Sequence, residues 1–460
     1  MKSFEYSGMW WLPSHSEYKV SGKLTFVQND RIDVALDSLL EPDRDVLRER
    51  TLKRYPLILG VTDDGQAITL FDCRETNVEH ITSDEDSYAK HECSAMGAYI
   101  GAHFTSLEPL FHKIDVHYSH LPEWAGIFPF QSYQKPFDEV KTSTAKGTIA
   151  ILCSDRLGRE WIGKADLPET VWMRIEVQEA LSLDEWNTQF LIPLQYLLSL
   201  VTQRPNAIID IRAYTKQTMT DQSSGDNAEI SVQVVTLPNF VPFAPTRTVF
   251  PETILFPLQK GANNFSQIMD SWLRTAEELN NVLSLFFGVQ YARVSIEQRF
   301  LTLAQAAESY QDRRSDKSYL PEEEYQRLMA VLLDACPDDH KVWLKDKLQY
   351  ANSTPFRKQL KELVNNTSLI LQPLIGNSAA RQRRFTEKVY NTRNYLTHHT
   401  DELKSEAACG DDLFLTTQYL RIAVETCLLY ELGFTPEICA EMFQRHEVYG
   451  YILGLMPYSS

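Results

Sequence analysis

The stretch RQRRFTEKVYNTRNYLTHH, Arg381 to His399, carries the reading on which the fold turns. At roughly 100° per residue, Phe385, Val389 and Leu396 fall in one narrow sector, the apolar stripe of an amphipathic helix. The same 3.6-residue period extends outward in both directions. Toward the N-terminus it covers Phe356–Leu371, Asp338–Tyr350, Pro321–Asp334 and Ser295–Arg313. It reaches back to a run beginning near Phe265 that includes Ile268, Trp272, Leu279, Leu283 and Phe286, with Gly288 expected to stop it. Toward the C-terminus it covers Leu413–Leu432, closed by Gly433, and Pro436–Arg445. Pro321, Pro337 and Pro436 stand where helix starts belong. Antiparallel helices joined by short links make a bundle, expected over residues 263–460.

Upstream the period changes. Residues 1–236 read as short strands separated by turns. Lys23–Gln28 and Arg31–Leu36 flank Asn29-Asp30, and Leu57–Val61 and Ala67–Phe71 flank Asp64-Gly65, the stronger hairpin signal. Further strands are expected at Met96–Phe104, Ile114–His117, Thr148–Leu152, Val171–Val177, Ala207–Ala213 and Ile230–Val235. One helix is expected there, over Leu183–Leu200, and Ser223–Asn227 reads as an exposed loop. Pro238, Pro242, Pro245 and Pro251 exclude helix and central strand from a connector at 237–262. The fold class is therefore α+β, a strand-rich region followed by an all-α bundle.

Composition narrows the function. The chain has 460 residues, enough for two or three domains. Its longest apolar stretch, Phe190–Val201, is interrupted by Pro193 and Gln195 and is too short for a bilayer. MKSFEYSGMWWLP lacks the apolar core of a signal peptide, so a cytoplasmic protein without membrane contact is expected. The seven cysteines are scattered and form no CxxC pair, which excludes a disulfide framework and a zinc ribbon. A net charge of −17 excludes general coating of nucleic acid, so any such site must bring its own local cations.

The helix at 381–399 brings them. Arg381, Arg383, Arg384, Lys388 and Arg393 gather there, with Glu387 the acid among them, and the first four are candidates for holding a polyanion. Within RNYLTHH, Asn394 and His398 are four apart and share the face opposite the apolar stripe, with Arg393 at its margin. His399 falls near the stripe and reads as structural. Cleaving RNA without a metal uses the ribose 2′-hydroxyl as internal nucleophile. That chemistry needs a proton carrier near neutrality and a cation for charge growing on phosphate oxygens. His398 suits the first role and Arg393 the second, while Asn394 can orient either. About 140° of helix separates Arg393 from His398, so their tips do not converge in one chain. A second copy around a two-fold axis would place two of each around one cleft. By itself the match reads more readily as a solvated helix face than as a site.

The C-terminal third resembles the HEPN domain of ApeA-type anti-phage proteins. The resemblance lies in RRFTEKVYNTRNYLTHH, in RFLTLAQAAESYQDR on an early helix, and in YLRIAVETCLLYELGF after the motif. It covers residues 290 to 450. Trp10-Trp11-Leu12-Pro13 and the strand pair after it resemble the N-terminal domain found with such modules. HEPN ribonucleases carry Arg, a polar residue, three variable positions and His, matched by Arg393, Asn394 and His398. The resemblance implies a homodimer or higher oligomer through the HEPN bundle and an RNA substrate. It also implies a phage-derived trigger acting through the N-terminal region, and products ending in 2′,3′-cyclic phosphate and 5′-hydroxyl. No metal or other cofactor is called for. The alternatives are a non-catalytic HEPN module that binds RNA or nucleotide, and a purely structural dimerisation bundle.

Other signals read as structural. Arg74…His80 repeats the loose spacing outside any helix. His112, His117 and His120 with Asp115 split between two strand faces and close no four-ligand set. His91 and Cys93 form a pair without an assignable base. No GxxxxGK[ST], GxGxxG or HExxH occurs. Trp10, Trp11, Trp124 and Trp172 read as core before base-stacking platforms.

Overall fold

The structure is a computed structural model that describes residues 3–27, 30–44, 51–82, 87–128, 139–153, 171–216, 229–236, 249–258, 265–314, 318–349, 351–446, 449–450 and 452. The chain divides into two compact units, Met1–Pro251 with Pro257–Ser266, and Glu252–Phe256 with Gln267–Ser460.

In the first unit, β1 (Phe4–Trp11), β2 (Val20–Val27), β3 (Arg31–Leu36), β4 (Arg54–Thr62), β5 (Ala67–Thr82) and β6 (Ser87–Ile100) pair in the order β3-β2-β1-β4-β5-β6. β3 also pairs with β6, through Asp33↔Ser94 to Leu36↔His91, so the six antiparallel strands close into a barrel. Closure removes the exposed edges that an open sheet would present. Alternate residues point inward and build a core that includes Trp10, Leu24, Val34, Ile58, Leu70 and Cys73. Gly60 lies opposite Trp10, and a Cβ there would sit 2.3 Å from the indole, so only glycine fits. The expected Asp64-Gly65 turn is present. Gly65 takes φ +85° and its amide donates to the Thr62 carbonyl. Of the other expected turn, Asp30 donates to Val27, while Asn29 lies outside the described residues.

β6 stays paired with β5 through its second half, where Gly97–Ile100 also pair with Thr236–Gln233. This opens a second run of antiparallel strands: β7 (Phe111–Tyr118), β8 (Val140–Thr144), β9 (Gly147–Cys153), β10 (Val171–Leu181), β11 (Ile208–Thr215) and β12 (Ile230–Thr236), ordered β12-β11-β7-β10-β9-β8. A short helix α1 (Leu121–Trp124) follows β7. The helix expected at Leu183–Leu200 is α2 (Leu183–Trp186), a π-helical turn at Asn187–Leu191, and α3 (Ile192–Thr202). The widened turn precedes Pro193, which has no N–H to give the preceding turn. The Tyr118 hydroxyl and the Trp186 indole bond to the Leu191 and Phe111 carbonyls and tie this helical stretch to β7. Asp115, fully buried on β7, accepts from Arg174 Nε and Nη2 at 2.7 and 2.8 Å and from the Tyr214 hydroxyl at 2.7 Å.

The second unit is helical: α4 (Phe265–Glu278), α5 (Asn280–Tyr291), α6 (Ile296–Arg314), α7 (Glu322–Asp334), α8 (Lys341–Leu348), α9 (Phe356–Asn366), α10 (Ser368–Ile375), α11 (Ala379–His398), α12 (Gly410–Glu431) and α13 (Pro436–Arg445). Its core includes Phe286, Phe300, Leu303 and Ala307 with Leu420, Ala423, Val424 and Leu428. Arg314 on α6 is held by Glu431 of α12 and Glu278 of α4, at 2.8 and 2.7 Å. Pro436 opens α13 behind a Thr435 cap, and Gly433 at φ +89° ends α12, both as expected.

Several expectations fail here for local reasons. Gly288 does not stop its helix, because buried Phe286, Phe287 and Val289 around it carry α5 on to Tyr291. Phe356–Leu371 is two helices, α9 and α10, broken at Thr367, which leaves helical geometry with φ −102° and ψ 13°. The strand expected at Met96–Phe104 starts earlier and ends at Ile100, before Gly101 at φ +120°. β1, β4 and β8 extend or add to the expected set. Ser223–Asn227, and residues 237–248 and 259–262 of the connector, lie outside the described residues. Its described part is not solvated chain. Phe256 packs on Phe434 with centroids 4.9 Å apart, and His446 Nε2 sits 2.8 Å from the Thr253 carbonyl.

Candidate functional site

α11 is the helix on which the site residues stand. The Ser378 hydroxyl accepts from the Arg381 amide at its N-terminus. Its buried residues are Phe385, Thr386, Val389 and Thr392, so the stripe turns slightly from the expected one and leaves Leu396 half-buried. Thr392 sits at the seam, and its hydroxyl accepts the Ala408 amide at 2.8 Å. The chain that leaves the helix is thereby folded back against it. The helix ends at His398. His399 follows in the left-handed region with φ 52°, its amide capping Tyr395 at 2.7 Å and its ring edge-on to the Tyr395 ring. The inward position expected for His399 is thus overturned. It is exposed, because the residue that closes the helix turns away from the stripe.

Arg393 and His398 face different surroundings. The Arg393 guanidinium is about one-third exposed and lies over the Phe356 ring of α9, 5.6 Å from its centroid. Nη1 donates to Asn394 Oδ1 at 3.1 Å and Nη2 to Glu308 Oε2 of α6 at 3.4 Å. Both ends of the fork are engaged within one chain. The His398 ring is exposed and makes no hydrogen bond among the described residues. The Thr397 hydroxyl donates to the Arg393 carbonyl at 2.7 Å.

Glu308 is the residue that sequence reading missed. Burial pushes its pKa above the usual carboxylate range; Arg393 pulls it back, and Asp312, one turn along α6, pushes it further up. Asp312 in turn accepts from Gln359 Nε2 of α9 at 2.6 Å, with Gln359 almost wholly buried. Three helices therefore meet at Arg393: α6 supplies the carboxylate, α9 the ring beneath it, and α11 the motif. Glu308 stands 85 positions before Arg393, in ESYQDR, and no local pattern announces that pairing.

The basic cluster divides. Arg381, Arg383 and Arg384 are exposed and hold no ion pair among the described residues. Lys388 is bound to Asp412 of α12 at 2.6 Å, so Glu387 is not the only acid near the cluster. Glu387 itself is taken by Arg357, whose guanidinium lies over Tyr390. By helical rotation, Arg383 and Arg384 fall within roughly 60° of His398, about 21–23 Å up the axis, while Arg381 lies to the side. Arg381 also crosses Gly376, which takes φ +93°, and a Cβ there would make that side chain move.

The remaining signals resolve into structural contacts. His112 pairs with Glu229, His117 Nδ1 approaches the Val171 carbonyl, and His120 lies 3.7 Å from Glu123. Among the described residues no group of His, Cys, Asp and Glu gathers as a metal site would. Arg74 lies on β5, which has no helix to carry the motif. Trp10, Trp11, Trp124 and Trp172 are buried.

His91 and Cys93 prove part of a closed cluster inside the barrel. His91 Nε2 contacts Glu75 at 2.9 Å and Cys93 Sγ at 3.3 Å. Glu75 also receives both terminal nitrogens of Arg44, the Lys53 amide and the Tyr55 hydroxyl. Burial alone would raise the Glu75 pKa, but those donors overcome it and hold it at about 2. Burial drives the Cys93 thiol far above its ordinary range, which disarms it as a nucleophile.

Two family models match the chain. One, described as ApeA N-terminal domain 1, covers residues 5–272, more than half of the sequence; the other, described as Apea-like HEPN, covers residues 301–438. No curated protein and no solved structure matches it. Among the described residues, no helix is long and apolar enough to cross a membrane.

Proposed function

The chain belongs to the ApeA family, with a C-terminal HEPN domain, and from that premise we propose that it is a metal-independent endoribonuclease of anti-phage defence. The observation that carries the reading is the pairing of Arg393 with Asn394 on a helix whose last residue, His398, is exposed, its ring engaged by no hydrogen bond among the described residues.

The proposed chemistry is transesterification. The ribose 2′-oxygen attacks the adjacent phosphorus, a P–O2′ bond forms and the P–O5′ bond breaks. His398 takes the 2′-hydroxyl proton and returns it to the departing 5′-oxygen, opposite Arg393 of the second copy. Arg393 meets the charge growing on the non-bridging oxygens. Asn394, bonded to Arg393 Nη1, fixes the plane of the guanidinium. The products are a 2′,3′-cyclic phosphate and a 5′-hydroxyl. Arg383 and Arg384 share the His398 face and hold the incoming strand, with Arg381 and Lys388 beside them, Lys388 after release from Asp412. The second copy is required because Arg393 is drawn toward α6 and α9 while His398 faces solvent. Residues 1–236 would receive the phage-derived signal, and 263–460 would carry the cutting bundle.

The test is incubation of wild type, Arg393→Ala and His398→Ala with total and transfer RNA in excess chelator. Cleavage by wild type alone, with cyclic-phosphate ends, is expected. Cleavage that needs added metal, or that survives both substitutions, refutes the proposal. Intact RNA binding by a wild type that never cleaves would favour the non-catalytic module.

A further inference from the structure

The second run of strands in the first unit has one apolar face and one charged face. Ile114, Val116, Ile149, Ile151, Met173 and Ile175 are fully buried on the apolar face. Tyr118, on the same side of β7, bonds the Leu191 carbonyl of the helical stretch. Strand alternation turns the intervening residues to the opposite side. There the register sets one row across four strands: Asp115 stands beside Arg174, Arg174 beside Ala150, and Ala150 beside Lys141. In the neighbouring row Glu176 stands beside Thr148.

A hollow of about 150 Å³ lies over these rows. Ala150 and Thr148 of β9 form its floor, with Arg174 and Glu176 of β10 along one side and Lys141 and Glu139 along the other. Because β10 and β8 flank β9, the two cations stand two strand spacings apart, about 10 Å, with only the methyl of Ala150 between them. Asp115 takes Nε and Nη2 of Arg174 and fixes the guanidinium plane, which leaves Nη1 with no acceptor among the described residues. Lys141 is exposed, and its Nζ likewise has no acceptor among the described residues. A buried charge pair is a weak source of stability; here it holds one arginine in a single orientation at the rim of a hollow.

Two cations facing each other across a small residue, with a hydroxyl on the floor, suit a tetrahedral oxyanion. Arg174 and Lys141 meet its oxygens from opposite sides and Thr148 offers a hydroxyl from below. A planar carboxylate presents one edge and would satisfy one side only. Glu176 and Glu139 repel a bare anion with several charges, yet their carboxylates accept hydrogen bonds from hydroxyl groups. A ligand that carries both a phosphate and hydroxyls therefore fits where a phosphate alone does not. We propose that this hollow binds a phosphorylated sugar, with its phosphate between Arg174 and Lys141 and a sugar hydroxyl on Glu176. A free sugar phosphate and the sugar phosphate of a nucleotide share that chemistry. The site lies within the first unit and requires no catalytic reading of α11.

The test is isothermal titration calorimetry of the full chain at low ionic strength, where exposed charges are least screened. The probes are ribose 5-phosphate, adenosine 5′-monophosphate, inorganic phosphate and ribose. One molecule of ribose 5-phosphate or of adenosine 5′-monophosphate is expected per chain, and the tighter of the two identifies the source. Inorganic phosphate is expected to bind more weakly and ribose not at all. Lys141→Gln, at an exposed position, removes one charge-assisted bond and should weaken the sugar phosphate roughly tenfold. Glu176→Ala should bring ribose 5-phosphate and inorganic phosphate to similar affinity. Ala150→Leu fills the hollow and should abolish binding, with circular dichroism confirming the fold. Absence of binding by both sugar phosphates, wild-type affinity in Lys141→Gln, or inorganic phosphate bound by wild type as tightly as ribose 5-phosphate overturns the proposal.

Discussion

Replacing Glu308 by Gln separates two roles of Arg393, one in stability and one toward substrate. In the folded chain Nη2 of Arg393 gives its bond to Glu308 Oε2 at 3.4 Å and Nη1 is held by Asn394. A substrate phosphate that wants the fork must displace one of them, and Glu308 carries the charge that opposes displacement. Two unit charges at that separation attract by about 5 kcal/mol at an effective dielectric of 20 and by about 1 kcal/mol in bulk water. With both side chains about one-third exposed, screening places the useful figure near the lower end, ~1–2 kcal/mol. Glu308→Gln keeps the shape and the Asp312 neighbourhood but removes that charge. It should therefore lower KM for RNA by roughly 5- to 30-fold, at about 1.4 kcal/mol per tenfold, with kcat little changed. Because burial holds the Glu308 pKa up, wild type should approach the variant as pH falls and the carboxylate protonates, while the variant's KM stays flat. The assay is steady-state cleavage of a fluorescent oligoribonucleotide in chelator across pH, with Arg393→Ala as the reference. If Glu308→Gln lost as much kcat/KM as Arg393→Ala, Glu308 would be orienting the guanidinium, and the competition argument would be wrong.

Other consequences follow from contacts already described. Glu75→Ala leaves Arg44 and His91 buried without their counterion. Removing one partner of a buried pair costs about 3–5 kcal/mol, readable as a lowered urea midpoint for the first unit. The same carboxylate, held at about 2 against an ordinary 4.5, stabilises the fold above pH 4.5. That contribution disappears as pH falls through 2, and the variant should lack this acid limb. Thr392→Val strands the Ala408 amide that its hydroxyl accepts at 2.8 Å. The expected loss is about 1–3 kcal/mol in denaturant unfolding of the helical unit. Arg383→Glu with Arg384→Glu should raise KM and flatten its salt dependence, by about 0.7 in log–log slope per lost phosphate contact, while kcat is retained.

Periodicity showed the helical second half because tertiary packing there only selects among faces that the sequence already offers. Pro436 and Gly433 mark boundaries by backbone chemistry, and both boundaries are found. Pairings between distant segments left no such trace. The barrel closes because Asp33–Leu36 meets His91–Ser94, and nothing near either segment specifies the other. Glu75 looks like one more acid in an alternating strand, yet it organises Arg44, Tyr55 and His91. At the motif, the roles of Arg393, Asn394 and His398 were suggested by residue type and spacing, and the helix that bears them is as expected. Glu308 and Phe356 were not visible, since each reaches Arg393 from another helix. His399 was misplaced because rotation at 100° per residue assumes the helix continues, and it had already ended.

A mixture of Arg393→Ala and His398→Ala chains tests the composite site most directly. Each variant alone lacks one chemical role in both copies and should be inactive. Subunit exchange between equal amounts makes about half of all pairs mixed, by simple statistics for a two-fold assembly. A mixed pair keeps one Arg393 and one His398, on opposite chains. If the active cleft draws Arg393 and His398 from two copies, RNA cleavage in chelator returns in the mixture to a readily measured fraction of wild type. If the exchanged mixture remains as inactive as its components, the motif of a single chain does not share a cleft with its partner, and the account of the site is contradicted.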